Sequence, residues 1–227
     1  MSVDTINLRK LLQLFYADQK FERSLLLKDI RDDIAKEKKK KDPNQESKGG
    51  GDFYGPFWAD VKDHAAGISD ISDQTKIRIA KNKSRARLYP LLHNSFLMMW
   101  NDLMRWRNEP FEFVPKSVHA RLELNKLGAT VKIENTVAVK IWDGSHRIIY
   151  PYFSEKPAIP EEGARLGFWA LHKALPEYRA EDFRIVDMQH RTYFRPEDVG
   201  IRGDEEKLFL QKYEALLSTW RKLRAGR

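Results

Sequence analysis

The sequence predicts an α+β protein. N-terminal helices precede a mixed, mainly antiparallel sheet of about five strands, with a crossover helix before the fifth strand and a C-terminal helix after it. Two observations carry this reading. Up to Met104 apolar residues recur three and four positions apart, the spacing of a helix face; from Phe111 they alternate, the spacing of a strand. Helical spacing then returns around Leu166 and Trp169, between alternating segments. A strand–helix–strand order implies that the last strand lies parallel to an earlier one through a right-handed crossover.

Asp4 and Thr5 suit an N-cap, because a short oxygen side chain accepts from the free amides of a first helical turn. Leu8, Leu11, Leu12, Phe15 and Tyr16 follow at helical spacing, and Leu26, Leu27, Ile30 and Ile34 resume it. The pattern over 5–41 fits one helix or two, with Asp18-Gln19 as the softest point. Lysines close the segment, where cations meet the negative end of the helix dipole. Residues 42–52, with Pro43 and Gly49-Gly50-Gly51, bury too little apolar surface to offset their ordering entropy and read as a flexible linker. The chain thereby divides into an N-terminal helical segment (1–41), the linker (42–52) and a single α+β domain (53–227). In Phe53-Tyr54-Gly55-Pro56-Phe57-Trp58, Pro56 suits the first turn of a helix running to Gly67. Four aromatics in that run can stack on bases; more often such a cluster plugs a core.

Ser69, Asp70 and Ser72 offer a cap to a helix starting near Asp73. From Gln74 to Asn101 there is no acidic residue, and Lys76, Arg78, Lys81, Lys83, Arg85 and Arg87 fall within that stretch. Carried on as one helix, positions 76, 80, 83 and 87 share a face and 78, 81 and 85 an adjacent one. Like charges at such spacing repel by roughly a few tenths of a kcal/mol per pair. An unrelieved run therefore points to an anionic partner: nucleic acid, an acidic protein surface, or carboxylates elsewhere in the same fold. If all six met phosphates, affinity would fall with log salt at a slope of about −5. Tyr89-Pro90 interrupts, and a further helix through Leu91, Leu92, Phe96, Met99, Trp100, Leu103 and Met104 ends near Glu109-Pro110. His93 on it reads as packed and hydrogen-bonded.

In the second half, Val118, Ala120, Leu122 and Leu124 alternate with His119, Arg121 and Glu123, giving a strand with one wet face. Residues 129–134 form a second strand, Asn135-Thr136 a tight turn, and Val137, Val139 and Ile141 the inner face of a third. Asp143-Gly144 is a hairpin signal of the kind with positive φ at both central residues. The fourth strand runs from Arg147 to about Phe153. Pro157, Pro160, Glu161 and Glu162 announce the crossover helix. Residues 183–189 make the fifth strand. Asp204 suits the cap of a final helix with a stripe of Leu208, Leu210, Tyr213, Leu216, Leu217 and Trp220.

Composition removes several function classes. Apolar residues are 41% and aromatic residues 11% of 227, enough for a core and against wholesale disorder. No apolar run approaches the roughly 18 residues of a membrane span. Met1-Ser2-Val3-Asp4 has no cationic start followed by an apolar stretch, so a secretory signal is not expected. Cysteine is absent, which excludes disulfides, zinc–thiolate sites, iron–sulfur clusters and thiol catalysis, and suits a cytoplasmic location. Lys and Arg outnumber Asp and Glu, 41 to 33, for a formal charge of +8. There is no Gly-rich phosphate loop, no His-Glu-x-x-His helix, no Gly-x-Ser-x-Gly elbow and no paired-histidine metal spacing. Histidines 64, 93, 119, 146, 172 and 190 are scattered; His172 and His190 would meet only if the crossover helix packs beside the fifth strand.

The run 128–194, with its hairpin 137–153, crossover helix and following strand, resembles the core of RecB-type PD-(D/E)XK nucleases in its order of elements. That resemblance implies an Asp on one strand and an (Asp/Glu)-x-Lys on the next, binding Mg²⁺ that activates a water. The residues depart from it. No acid stands near Ala138 or Val139, and none near Tyr150-Pro151-Tyr152. A shifted reading uses Asp143 with Glu155 and Lys156, and Glu134 is a further candidate. Their plainer roles are a turn former, a solvated pair before Pro157, and a strand-end surface charge. If the resemblance holds, the domain is nuclease-like without its metal chemistry, and no cofactor is expected.

Three functions follow as expectations. The first is a basic, non-catalytic nucleic-acid-binding protein of bacterial type, using Lys76, Arg78, Lys81, Lys83, Arg85 and Arg87. The second is a Mg²⁺-dependent nuclease with displaced acids. The third is a protein-interaction subunit docking through residues 5–41. No membrane partner is expected.

Overall fold

Helical spacing and alternation both materialise, but the strands divide between two sheets. The structure, a computed structural model, describes residues 2–41, 53–105, 110–115 and 118–226; the linker predicted over 42–52 lies outside the described residues. In chain order the elements are β1 (Thr5–Asn7), α1 (Leu8–Tyr16), α2 (Gln19–Lys41), α3 (Gly55–Ala65), α4 (Ile71–Lys81), α5 (Tyr89–Arg105), β2 (Phe111–Phe113), β3 (Ala120–Leu124), β4 (Ala129–Ile133), β5 (Val137–Ile141), β6 (His146–Tyr152), α6 (Glu161–Ala174), β7 (Phe183–Asp187), β8 (Thr192–Phe194), α7 (Pro196–Val199) and α8 (Glu205–Ala225). The class is α+β, as the sequence predicts. Among the described residues no helix is long and apolar enough to cross a membrane.

The larger sheet has the order β2-β5-β6-β7-β8 and the smaller one β1-β4-β3. β6 and β7 run parallel, joined by α6, which is the expected crossover. The expected meander of four strands is not one sheet. β3 pairs with β4, and the far edge of β4 takes β1 in parallel, with Thr5 opposite Thr130. Asn135, at φ 64°, turns the chain between β4 and β5, and β5 pairs with β6 and β2. The β5–β6 turn also differs from expectation. Gly144 alone carries positive φ, 84°; Asp143 Oδ1 accepts from the Ser145 amide at 2.8 Å, a local bond that short acidic side chains make in turns.

The larger sheet is buried on both faces, so its alternation sorts side chains between two cores instead of between core and water. On β6, Ile148, Tyr150 and Tyr152 join a cluster with α1, α6 and α8. Ile149 and Phe153 join a second cluster with α3, α4 and α5, with Val137 and Val139 of β5 and Val186 of β7. Gly167 lets α6 lie close on β7: a Cβ there would stand 2.6 Å from Ile185 Cδ1. In α8, Phe209 takes the buried place expected of Leu210.

The N-terminal segment is two helices after a short strand. Asn7, not Asp4 or Thr5, caps α1, its Oδ1 accepting from the Arg9 amide at 3.0 Å. The break falls at the soft point: Asp18 Oδ1 accepts from the Phe21 amide at 2.8 Å and starts α2. This segment is not set apart from the rest. Val3, Ile6, Leu8, Leu11, Leu12 and Leu14 are all at most 1% exposed and lie in the same core as α6 and α8. Tyr213 Oη donates to the Val3 carbonyl at 2.6 Å. The apolar face that a docking helix over 5–41 would offer is thus consumed inside this fold.

Candidate nucleic-acid interface

The basic run 76–87 is not one helix. Asp70 caps α4 by accepting from the Ser72 and Asp73 amides at 2.8 and 3.2 Å. The helix stops at Lys81 because Asn82 is extended (φ −148°) and its Oδ1 instead accepts from the Ser84 amide at 3.0 Å. A 3₁₀ turn over Lys83–Arg85 follows, and Pro90 sits in the first turn of α5. The two continuous faces predicted through 83, 85 and 87 therefore do not form.

The six cations also differ in how their charge is met. Arg78 is taken internally: its Nε and Nη2 donate to the two oxygens of buried Asp60 at 2.9 and 2.7 Å. That hydrogen-bonded pair raises the Arg78 pKa above its ordinary value. Lys76 pairs with Asp73 at 3.0 Å and Arg87 with Glu155 at 3.4 Å, all four side chains exposed; such pairs are worth little. Lys81, Lys83 and Arg85 have no carboxylate partner among the described residues. Lys81 and Lys83 are exposed. The Arg85 guanidinium lies 5.3 Å from the Tyr89 ring centre, and its buried Nε has no hydrogen-bond partner. Arg78→Gln is accordingly expected to cost about 2 kcal/mol of stability, by leaving the Asp60 carboxylate buried and half-paired, with nucleic-acid affinity unchanged. Chemical denaturation beside a binding assay checks both.

Aromatic rings run inward from Arg85: Tyr89 is 0% and Phe153 3% exposed. Tyr89 meets Phe53 edge-on at 5.5 Å, Phe53 meets Tyr54 at 5.5 Å, and Tyr54 stacks on Phe153 at 4.7 Å and 17°. Arg9 of α1 stands 5.9 and 5.3 Å from the Tyr54 and Phe153 ring centres. Of the predicted aromatic run, Phe57 and Trp58 are buried and plug the second core; Phe53 and Tyr54 are half-buried. Gln189 Nε2 donates to Tyr54 Oη at 2.9 Å and to the Phe153 carbonyl, fixing this wall to the end of β7. Arg9 and Phe153 carried no signal in the sequence; only the fold brings them to the 53–58 run.

Asp143 is not brought to Glu155 and Lys156. Glu134 is exposed at the end of β4, Asp143 belongs to the β5–β6 turn, and exposed Glu155 and Lys156 lie beyond the other end of β6. The length of β6 from His146 to Tyr152, at about 3.3 Å per step, puts roughly 20 Å between the two ends, so Asp143 and Glu155 do not share an ion. Among the described residues no group of three or more His, Asp or Glu is placed to hold a metal, and the Mg²⁺ implied by the resemblance does not fit these residues. His190 does not meet His172: its Nδ1 bonds Asp187 Oδ1 at 2.9 Å. Buried Asp187 also accepts from the Ile159, Gln189 and His190 amides at 3.1–3.2 Å. Those bonds shape the turn after β7. His93 is packed as expected, its Nε2 3.0 Å from Ser72 Oγ.

No family model, no curated protein and no solved structure matches this chain.

Proposed function

We propose that this chain is a cytoplasmic, non-catalytic nucleic-acid-binding protein whose contact surface starts at the 3₁₀ turn after α4. The observation that carries the reading is Lys81, Lys83 and Arg85, three cations without a carboxylate partner among the described residues. Behind them buried Tyr89 leads to the half-buried rings of Phe53 and Tyr54, beside Arg9. Cations supply phosphate contacts and release counterions, and adjoining rings favour unpaired bases. With three such cations in place of six, the slope of log affinity against log salt is expected at about −3 for a duplex and about −2 for a single strand, in place of −5. Fluorescence anisotropy of a labelled oligonucleotide across a salt series tests this. Absence of binding at low salt, or a flat salt response, overturns it. The same samples with Mg²⁺ should show intact oligonucleotide.

A further inference from the structure

We propose that the pocket between α1, α3 and the end of β6 holds one nucleotide unit, a base with its phosphate, and that in a bound strand this unit is unpaired. The pocket is lined by Arg9, Tyr54, Trp58, Lys62, Asn135 and Phe153. Three of these are aromatic and two cationic, and no acidic residue lines it. Its volume is about 180 Å³, below the roughly 300–1,000 Å³ of sites that enclose a drug-sized ligand. That room suits one planar ring and excludes a dinucleotide cofactor.

Each wall supplies a different part of nucleotide recognition. Half-buried Tyr54 is the ring able to meet a base; Trp58 and Phe153, each 3% exposed, back it. Trp58 is held by its indole N–H, which donates to the Asn135 carbonyl at 2.6 Å, so the wall is fixed before a ligand arrives. The Asn135 side-chain amide, exposed at the pocket, offers a donor and an acceptor to a base edge. Arg9 and Lys62 come from different helices and supply positive charge on the same cavity. The first turn of α3 has neither a capping side chain nor an acidic residue, and its Gly55 also lines the cavity; the helix dipole adds to that potential. The Tyr54 ring sets this cavity apart from a site for phosphate alone, and the cations set it apart from a site for an uncharged ring.

Assignment to a strand rests on the nucleic-acid reading; a free mononucleotide presents the same chemistry, and the experiment separates the two. Isothermal titration of the full chain would use the four nucleoside 5′-monophosphates, the four nucleosides, inorganic phosphate and a single-stranded octanucleotide. At least one monophosphate is expected to bind, with its nucleoside and inorganic phosphate at least about 10-fold weaker. Arg9→Gln and Lys62→Gln, both at half-exposed side chains, should each weaken it about 10-fold while the melting temperature stays put. Reversing Lys81, Lys83 and Arg85 to Glu should leave monophosphate binding unchanged and weaken the octanucleotide. Octanucleotide binding with no monophosphate binding, or with affinities untouched by Arg9→Gln and Lys62→Gln, overturns the pocket and leaves the proposed function standing. Monophosphate binding without octanucleotide binding keeps the pocket for a free nucleotide and overturns the strand assignment.

Discussion

Arg165→Leu is expected to destabilise the protein by about 3–5 kcal/mol, the cost of removing one partner from a buried ion pair. Arg165 on α6 is 3% exposed and Glu205, the first residue of α8, is also 3% exposed. Arg165 Nη1 donates to Glu205 Oε1 at 2.8 Å and to Asp204 Oδ1 at 2.7 Å. Glu205 also accepts from the Arg202 and Gly203 amides at 2.7 and 2.9 Å, so its oxygens stay fixed in place after the arginine is gone. Asp204, expected to cap α8, spends its carboxylate on this arginine instead. In a chain of this size each kcal/mol moves the melting temperature by about 2–4 °C, so a fall of about 10 °C should appear in a thermal scan. Arg165→Leu with Glu205→Leu should be more stable than Arg165→Leu alone, because the buried charge is then gone. A fall under 2 °C for the single variant would refute the pair's role.

The pH dependence of that penalty has a definite sign. Burial pushes the Glu205 carboxyl up, but the backbone amides it accepts from and the Arg165 charge outweigh burial and hold it below the ordinary carboxylate range. Its folded pKa is thus below its unfolded one, and its stabilisation is complete above about pH 4.3. It is lost as pH falls through the folded value. The gap between wild type and Arg165→Leu should therefore narrow on acidification.

Reversing Lys81, Lys83 and Arg85 to Glu should cut nucleic-acid affinity by on the order of 100-fold or more at 0.1 M salt. Each lost phosphate contact also reduces the salt slope by about one. Lys81 and Lys83 are exposed and none of the three has a carboxylate partner among the described residues, so Lys81→Glu with Lys83→Glu should change stability little, and Arg85, half-buried against Tyr89, carries whatever cost the triple variant shows. Lys76→Glu, at a cation that already faces Asp73, serves as the comparison and should cost under 10-fold. The triple variant changes the net charge by three times as much as Lys76→Glu, so a loss in log affinity only about three times as large would mean that overall charge, not this turn, attracts the strand.

The class of fold was legible because period is a local property: 3.6 in Leu8–Tyr16, two in Val137–Ile141. The crossover before Phe183 followed from order alone. What alternation cannot state is which sheet a strand joins, and the partner of β4 proved to be Thr5–Asn7, about 125 residues away in the chain. Nor does alternation say that both faces of a sheet are covered: Ala138, on the face opposite Val137 and Val139, is also buried. The basic run was legible as charge but not as geometry. One residue, Asn82, ends the helix by bonding its own backbone neighbour, and one distant acid, Asp60, removes Arg78 from the surface. Arg9 and Phe153 reach the 53–58 aromatics only through packing between helices and sheet.

Amide hydrogen exchange of the full chain, with and without a saturating single-stranded oligonucleotide, locates the contact surface most directly. Slowed exchange is expected in peptides spanning 81–89 and 53–62, with the buried strands 148–152 and 183–187 unchanged. Protection confined to other surfaces, such as α8 or the β5–β6 turn, would contradict a nucleic-acid interface built on Lys81, Lys83 and Arg85.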